Sequence, residues 1–441
     1  MKNEKPNVVW FIVDQMRGQA IGANGDPNVF TPNLDNMAIC GTNFPNAVSG
    51  YPLCCPFRTS MITGKYAHNH SVKLHEDRLD PEFRNVADVF NDNGYETIYL
   101  GKWHMAGLKE GDGRSALRLV PKDDRGRFRT WLGYDNNNSQ WDSYLHGHDE
   151  GNEVAHYKLP GYESDVLTDM AIERIEQRKD GDKPFFMVVS VQPPHSPNLA
   201  PARNRCYQAQ DLKLRPNVPS SIDNDARLRL SGYYAQIENI DENVGRLMDM
   251  LQETGLVDNS YVMFFSDHGD QMGSQGRFGK CVPYEESARV PFLIGGGNPM
   301  GYDGRRCGNA PSLINHVDIA PTTLGLCNIE TPDWMEGFDY SHRRTGKDFA
   351  RRLGEEPDTA YLQLIGDRES SYAWRCVVTR DGWKYACVKG GEWLLFNLIN
   401  DPYEQNNLAF HKGCRGKRGE LNTLLRGWAE KTGDHFEFPD S

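Results

Sequence analysis

Val8-Val9-Trp10-Phe11-Ile12-Val13-Asp14-Gln15 is an unbroken apolar run that stops at a carboxylate. A strand covered on one face alternates apolar and polar residues, whereas one covered on both faces is apolar throughout. The run therefore predicts a buried strand of an α/β sheet. Residues 97–100, 185–191, 261–265 and 290–294 repeat the pattern and are expected to lie parallel to it.

Helical patterns separate these runs. Thr31-Pro32 opens one with a cap and a first-turn proline, and Gly41 closes it. Residues 169–179 form another. The longest covers 227–253, with Leu230, Tyr234, Ile237, Ile240, Val244, Leu247 and Leu251 at three- and four-residue spacing. Alternating strands and helices predict a mainly parallel sheet flanked by helices.

The texture changes near residue 345. Short runs at 373–378, 383–389 and 392–397 are separated by Arg380-Asp381-Gly382 and Lys389-Gly390-Gly391, which are turn signals. They predict an antiparallel meander, followed by a helix near 419–431. The expected division is a catalytic α/β domain over 1–345 and a small antiparallel-sheet subdomain over 346–441. Residues 108–165 are rich in Gly, Asp, Asn, Trp, Tyr and His with weak periodicity, and predict a long substrate-binding loop.

Composition narrows the function. The 441 residues carry a net charge of −12, which argues against a nucleic-acid binder. At 38% hydrophobic and 25% charged residues, disorder is not expected. No apolar run approaches the roughly 20 residues of a membrane helix, so no membrane partner is expected. The start of the chain lacks the apolar region and cleavage site of a signal peptide. This predicts a cytoplasmic chain, or an exported one whose signal has been removed. The 10 cysteines include no C-x-x-C pair and read as scattered reduced thiols, with adjacent Cys54-Cys55 as the odd feature.

Ligands of open α/β sheets bind beyond the carboxyl ends of strands. Run 8–13 is followed by Asp14-Gln15, and 261–265 by Ser266-Asp267-His268-Gly269-Asp270. Run 97–100 is followed by Gly101-Lys102-Trp103-His104, and 185–191 by Gln192-Pro193-Pro194-His195. A lone Asp here is more often a turn former, and a lone His a structural residue. Their coincidence at several strand ends is what carries weight. Asp14 and Asp267 suit a shared hard divalent cation, with Gln15 adding an amide oxygen and His268 a nitrogen. In Leu53-Cys54-Cys55-Pro56-Phe57-Arg58, Pro56 suits a first helical turn and puts Cys54 at a helix N-terminus, which favours an anion. The plainer reading of Cys54 and Cys55 is two small buried hydrophobes.

Cys54, Pro56, Arg58, Thr63 and Gly64 resemble, position by position, the sulfatase signature Cys-x-Pro-x-Arg-(four residues)-Thr-Gly. Asp14-Gln15, Gly101-Lys102-Trp103-His104, Pro194-His195-Ser196-Pro197, Ser266 to Asp270 with Gly279-Lys280, and Asn400-Asp401-Pro402-Tyr403-Glu404 are similar to further motifs of that family, in order. The resemblance implies an alkaline phosphatase-like fold with a small C-terminal antiparallel sheet and helix. It implies a sulfuric ester hydrolase whose Cys54 is oxidised to formylglycine by a separate formylglycine-generating enzyme. One hydroxyl of the hydrated aldehyde would attack sulfur, and the other would expel sulfate by re-forming the aldehyde. Asp14, Gln15, Asp267 and His268 would hold the metal, calcium first, with manganese or magnesium as alternatives. Arg58 and Lys102 would stabilise charge, and His104 would take the diol's second proton. His195 would protonate the leaving group, and Lys280 would bind a sulfate oxygen. The substrate expected is a small sulfated molecule, a sugar in first place, with Arg277, Trp131 and Trp141 as contacts. Many members carry Asp at the place of Gln15 and Asn at that of His268. The Gln and His combination resembles formylglycine-dependent phosphonate monoester and phosphodiester hydrolases, which are longer chains.

Overall fold

The computed structural model describes residues 5–70, 72–109, 114–204, 207–297, 307–346, 354–366 and 372–439. Parts of the expected 108–165 loop and 346–441 unit, and Cys206, lie outside them. A 10-stranded sheet forms the frame. Its parallel centre runs Ser260–Ser266, Asn7–Asp14, Phe185–Pro194, Glu96–Lys102, Thr130–Tyr134. Val8, Trp10 and Ile12 enter one hydrophobic core, and Val9, Phe11 and Val13 the other. This alternation between two cores is why the run reads as continuously apolar. Each such side chain contributes about 1.5–3 kcal/mol on burial.

The helices cover both faces. Asp223–Glu253 and Glu163–Gln177 seal one, through Leu230, Ile237, Leu247, Leu167 and Ile175. Cys54–Thr63, Val86–Asp92 and Ile319–Leu326 seal the other, through Phe57, Met61, Phe90 and Leu324. Strand register brings the carboxyl ends level. Val13 lies beside Ser266, Asp14 beside Pro194, and Gly101 beside Ser190.

Two expectations are corrected. The run at 290–294 becomes strand Phe292–Gly296, which pairs antiparallel with Ser260–Ser266. Continuous apolarity reports burial on both faces, not direction. The segment 108–165 is not one irregular loop. Thr130–Tyr134 joins the parallel core, and Tyr144–Asp149 and Asn152–Lys158 extend it as an antiparallel hairpin. The hairpin turns at Glu150 and Gly151, both at positive φ (46° and 87°), a pairing that matches strand twist.

A second, 4-stranded antiparallel sheet has the order Thr359–Leu364, Trp374–Thr379, Trp383–Val388, Gly391–Asn397. Helix Arg415–Thr432 packs Leu421 and Leu425 against Tyr361, Val377 and Tyr385 on one face. The other face packs Leu362, Trp374 and Phe396 against Val48, Tyr51 and Leu53, next to the start of the Cys54 helix.

Candidate active site

Helix Cys54–Thr63 starts abruptly from extended Leu53, and all its residues are buried. Pro56 in the first turn has no N–H to leave unsatisfied. Gly64 ends the helix at φ 66°, a left-handed position that glycine takes without steric cost, with its N–H on Ser60 O at 2.8 Å. Cys54 thus sits at the helix N-terminus beneath the strand ends.

The strand ends converge on it. The Cys54 Sγ lies 2.9 Å from Lys280 Nζ, 3.0 Å from His268 Nε2 and 3.7 Å from Asp14 Oδ1. Lys102 Nζ donates to Asp14 Oδ2 at 2.6 Å. Arg58 Nη2 bridges the two carboxylates, 3.4 Å from Asp14 Oδ2 and 3.1 Å from Asp267 Oδ2. Its Nη1 donates to Ser190 Oγ at 2.8 Å. Asp14, Arg58, Asp267 and His268 are fully buried. His104 is also buried, and its Nδ1 has no hydrogen-bond partner among the described residues.

The donor set fits a hard divalent cation. Asp14 and Asp267 spend their Oδ2 atoms on Arg58, and both Oδ1 atoms lie 3.6 Å from His268 Nε2. Ligand atoms of Asp14, Asp267, His268 and Cys54 all lie within 4.8 Å of one another. The Gln15 amide N–H is held by Asp270, so its Oε1 points to Lys280, 3.1 Å away. Gln15 and His104 occupy left-handed backbone conformations, φ 72° and 56°, a cost of about 1–3 kcal/mol each. Gln15 is pinned there by Asp267 Oδ1 on its N–H (3.0 Å) and by the Tyr233 hydroxyl on its carbonyl (3.0 Å).

Electrostatics follow from burial and the surplus of cations. Burial works to raise the Asp14 carboxyl, but Lys102, His195, Lys280 and Arg58 together hold it well below the carboxylate range. Burial and Asp14 push the Cys54 thiol up to about 11 against the pull of Lys280. Burial lowers His268 to about 4. Burial and then Lys280 lower His195 to about 3.

The loop bearing Lys280 is tied to the second sheet. Gln275 Nε2 donates to Tyr403 O (3.0 Å) and Glu404 O (3.2 Å). Glu404 Oε2 accepts the Glu285 N–H at 2.6 Å. Buried Lys384 bridges Glu285 and Glu404 at 2.5 and 2.8 Å. These contacts give Glu404 of the closing Asn-Asp-Pro-x-Glu motif a physical task.

The expected substrate contacts separate. Trp131 is not available to a substrate: it is fully buried in the sheet, stacked on Tyr99 and edge-on to Trp103, with Arg125 over its ring. Trp141 is 46% exposed and packs edge-on against Tyr162. Its neighbour Gln140 donates to the His195 carbonyl at 2.8 Å. Arg277 is exposed, three residues before Lys280. Two members of the site escaped sequence reasoning. Ser190 was legible as a hydroxyl inside an apolar run. His75 carries no motif signal, yet its ring stacks on His104 with centroids 5.5 Å apart. Burial and then Lys280 and Lys102 hold His75 down at about 2.

Residues 6–329 match the family model Sulfatase, and residues 273–430 match the model described as N-sulphoglucosamine sulphohydrolase, C-terminal. The chain is 34% identical to the ulvan-active sulfatase of Formosa agariphila, over 99% of this chain and 83% of that protein. Its fold matches the crystal structure of the candidate sulfatase yidJ of Bacteroides fragilis, 29% identical, with a TM-score of 0.87 over 99% and 98% of the two chains. The fold also matches the phosphonate monoester hydrolase of Agrobacterium radiobacter, 23% identical, with a TM-score of 0.76 over 97% and 96%. The fold is therefore alkaline phosphatase-like. With the signature helix at the focus of the strand ends and a matching model over most of its length, the chain belongs to the sulfatase family and is a sulfatase.

Proposed function

We propose that this sulfatase hydrolyses a carbohydrate sulfate ester, with Cys54 converted to formylglycine by a maturation enzyme and its hydrated aldehyde as nucleophile. The observation that carries the reading is the position of the Cys54 side chain. It stands at a helix N-terminus, between the Asp14 and His268 ligand atoms and Lys280 Nζ. Cys54 Sγ stands in for the attacking oxygen.

Asp14, Gln15, Asp267 and His268 would hold a divalent cation, calcium by the predominance of oxygen donors. Bound there, it would offset negative charge on the nucleophile and the sulfuryl oxygens. Arg58 and Lys102 fix the carboxylates and add positive field to the same point. Lys280 binds a sulfuryl oxygen. His195 is neutral in the free enzyme; an anionic sulfate counters the push of Lys280 and raises its basicity, fitting it to protonate the leaving alkoxide. His104 takes the proton of the second diol hydroxyl as sulfate departs. Exposed Trp141, beside the residue that holds the His195 backbone, offers an aromatic face where the leaving sugar would lie. Arg277 is the second substrate contact. Residues 346–441 are taken as a subdomain that braces the Lys280 loop.

Converting Cys54 to Ala tests the reading: turnover of sulfate esters is expected to vanish, and retained turnover removes Cys54 as the nucleophile. A panel of sulfated mono- and oligosaccharides then identifies the sugar. The Gln15 and His268 pair favours a second reading, phosphonate monoester or phosphodiester hydrolysis. Rates on a nitrophenyl sulfate, phosphodiester and phosphonate separate the two, and a dominant diester or phosphonate rate reverses their order.

A further inference from the structure

His75 lies outside every sulfatase motif in the sequence, on the segment that follows the Cys54 helix. Cys54 Sγ and a ring nitrogen of each of His75 and His104 lie within 4.8 Å of one another. Neither His75 nitrogen has a hydrogen-bond partner among the described residues, and the buried Nδ1 of His104 also lacks one. A cysteine and two histidines would suit zinc by ligand type alone. The surrounding charges argue against it. Lys102 and Lys280 face His75, and Lys102 and Arg58 face His104, so a second cation would meet repulsion. The separations are within the reach of a single oxygen. An oxygen at about 2.8 Å from each of two atoms spans such a separation.

We propose that His75 is a further catalytic residue, which holds the second hydroxyl of the residue-54 diol beside His104. This rests on the formylglycine reading above. In the step concerned, the O–H bond of that hydroxyl breaks and its proton passes to His104. The freed electron pair re-forms the aldehyde C=O, and the bond from carbon to the sulfated oxygen breaks. Sulfate leaves with that bonding pair. His75 keeps the hydroxyl oriented for the transfer, and the stacked ring keeps His104 in place.

The test compares wild type, His75→Ala and His75→Asn on a nitrophenyl sulfate, with peptide mass mapping of residue 54 during turnover. For His75→Ala, kcat is expected to fall about a hundredfold, while the first equivalent of nitrophenol is released at the wild-type rate. The residue-54 peptide should then accumulate in its sulfated form. His75→Asn, which keeps a polar atom on a shorter side chain, is expected to recover part of kcat and to carry less sulfated peptide. If His75→Ala does not fold, the same comparison with His75→Asn decides. Unchanged kcat, or a loss without sulfated peptide, overturns the role of His75 while leaving formylglycine intact. An active wild type whose residue 54 maps as cysteine overturns the formylglycine reading, and this inference with it.

Discussion

Among the described residues, two clusters of lysine, arginine and carboxylate lie around buried lysines, and they differ in completeness. Around Lys384 the charges balance: Lys384 and Arg289 face Glu285 and Glu404. The spare oxygen of Glu404 takes a backbone N–H, which closes the network. Around Cys54, Arg58 and Lys102 pair with Asp14 and Asp267, and Lys280 lies in the field of the same two carboxylates, while buried Asp135 and Glu163 act on Lys102 from further off. Here Asp14 Oδ1, His268 Nε2 and the side chain at 54 point at each other rather than at filled partners. A network that only holds elements together is stable when neutral and saturated. One that must receive an anion carries surplus positive charge and open ligand atoms, and its stability suffers for it.

The largest effect should come from breaking the open cluster. Arg58→Met leaves two buried carboxylates unbridged, and sulfate ester turnover is expected to fall at least a thousandfold, with about 3–5 kcal/mol of stability lost. Kinetics and denaturant unfolding check both. Lys384→Met should cost a similar 3–5 kcal/mol, since it strands two carboxylates equally deep, but turnover per folded molecule should stay within about tenfold. A loss of kcat as large as that of Arg58→Met would erase the distinction between the clusters.

Acid should weaken the open cluster. The folded protein keeps His268 near 4, below its ordinary 6.5, so the fold favours the neutral ring. The stability this gives is complete above pH 6.5 and is lost as pH falls from 6.5 toward 4, because the unfolded chain takes up the proton first. In chelator-treated enzyme His268 should account for about 3 kcal/mol of the loss, and His268→Asn should remove that share, leaving the slope of the other buried histidines, His195 and His316 among them. Unfolding across that pH range gives the measurement. The smallest effect is expected at the rim: Trp141→Ala should raise KM for a sulfated oligosaccharide several-fold, about 1 kcal/mol, with kcat nearly unchanged. An equal effect on a nitrophenyl sulfate would detach Trp141 from the sugar.

Legibility in the sequence followed rigidity. Asp14, Lys102, His195 and Asp267 lie at or just after the ends of buried strands, so finding each strand located its candidate residue before any tertiary contact was known. Helix Asp223–Glu253 was plain because its apolar spacing persists over many turns. The antiparallel direction of Phe292–Gly296 was hidden, since burial leaves the same mark on either orientation. Strand Asn152–Lys158 was hidden because it is the sheet's edge and largely exposed and polar, and Tyr144–Asp149 because, though buried, it carries Tyr, Leu, His, Gly, His and Asp rather than an apolar run. Trp131 looked like a sugar platform until its strand was seen inside the sheet. His75 could not be found at all, because its place beside His104 depends on how an aperiodic segment returns to the site.

The complete burial of helix Cys54–Thr63 also bears on timing. On the formylglycine reading proposed above, a maturation enzyme would have to reach Cys54, Pro56 and Arg58, yet in the folded protein all three are buried, with Cys54 and Arg58 held against Asp14, Asp267 and Ser190. Folding therefore sets a deadline. On the formylglycine reading, a chain that folds before Cys54 is oxidised would stay inert, and the yield of active protein would be set by a race between collapse and conversion.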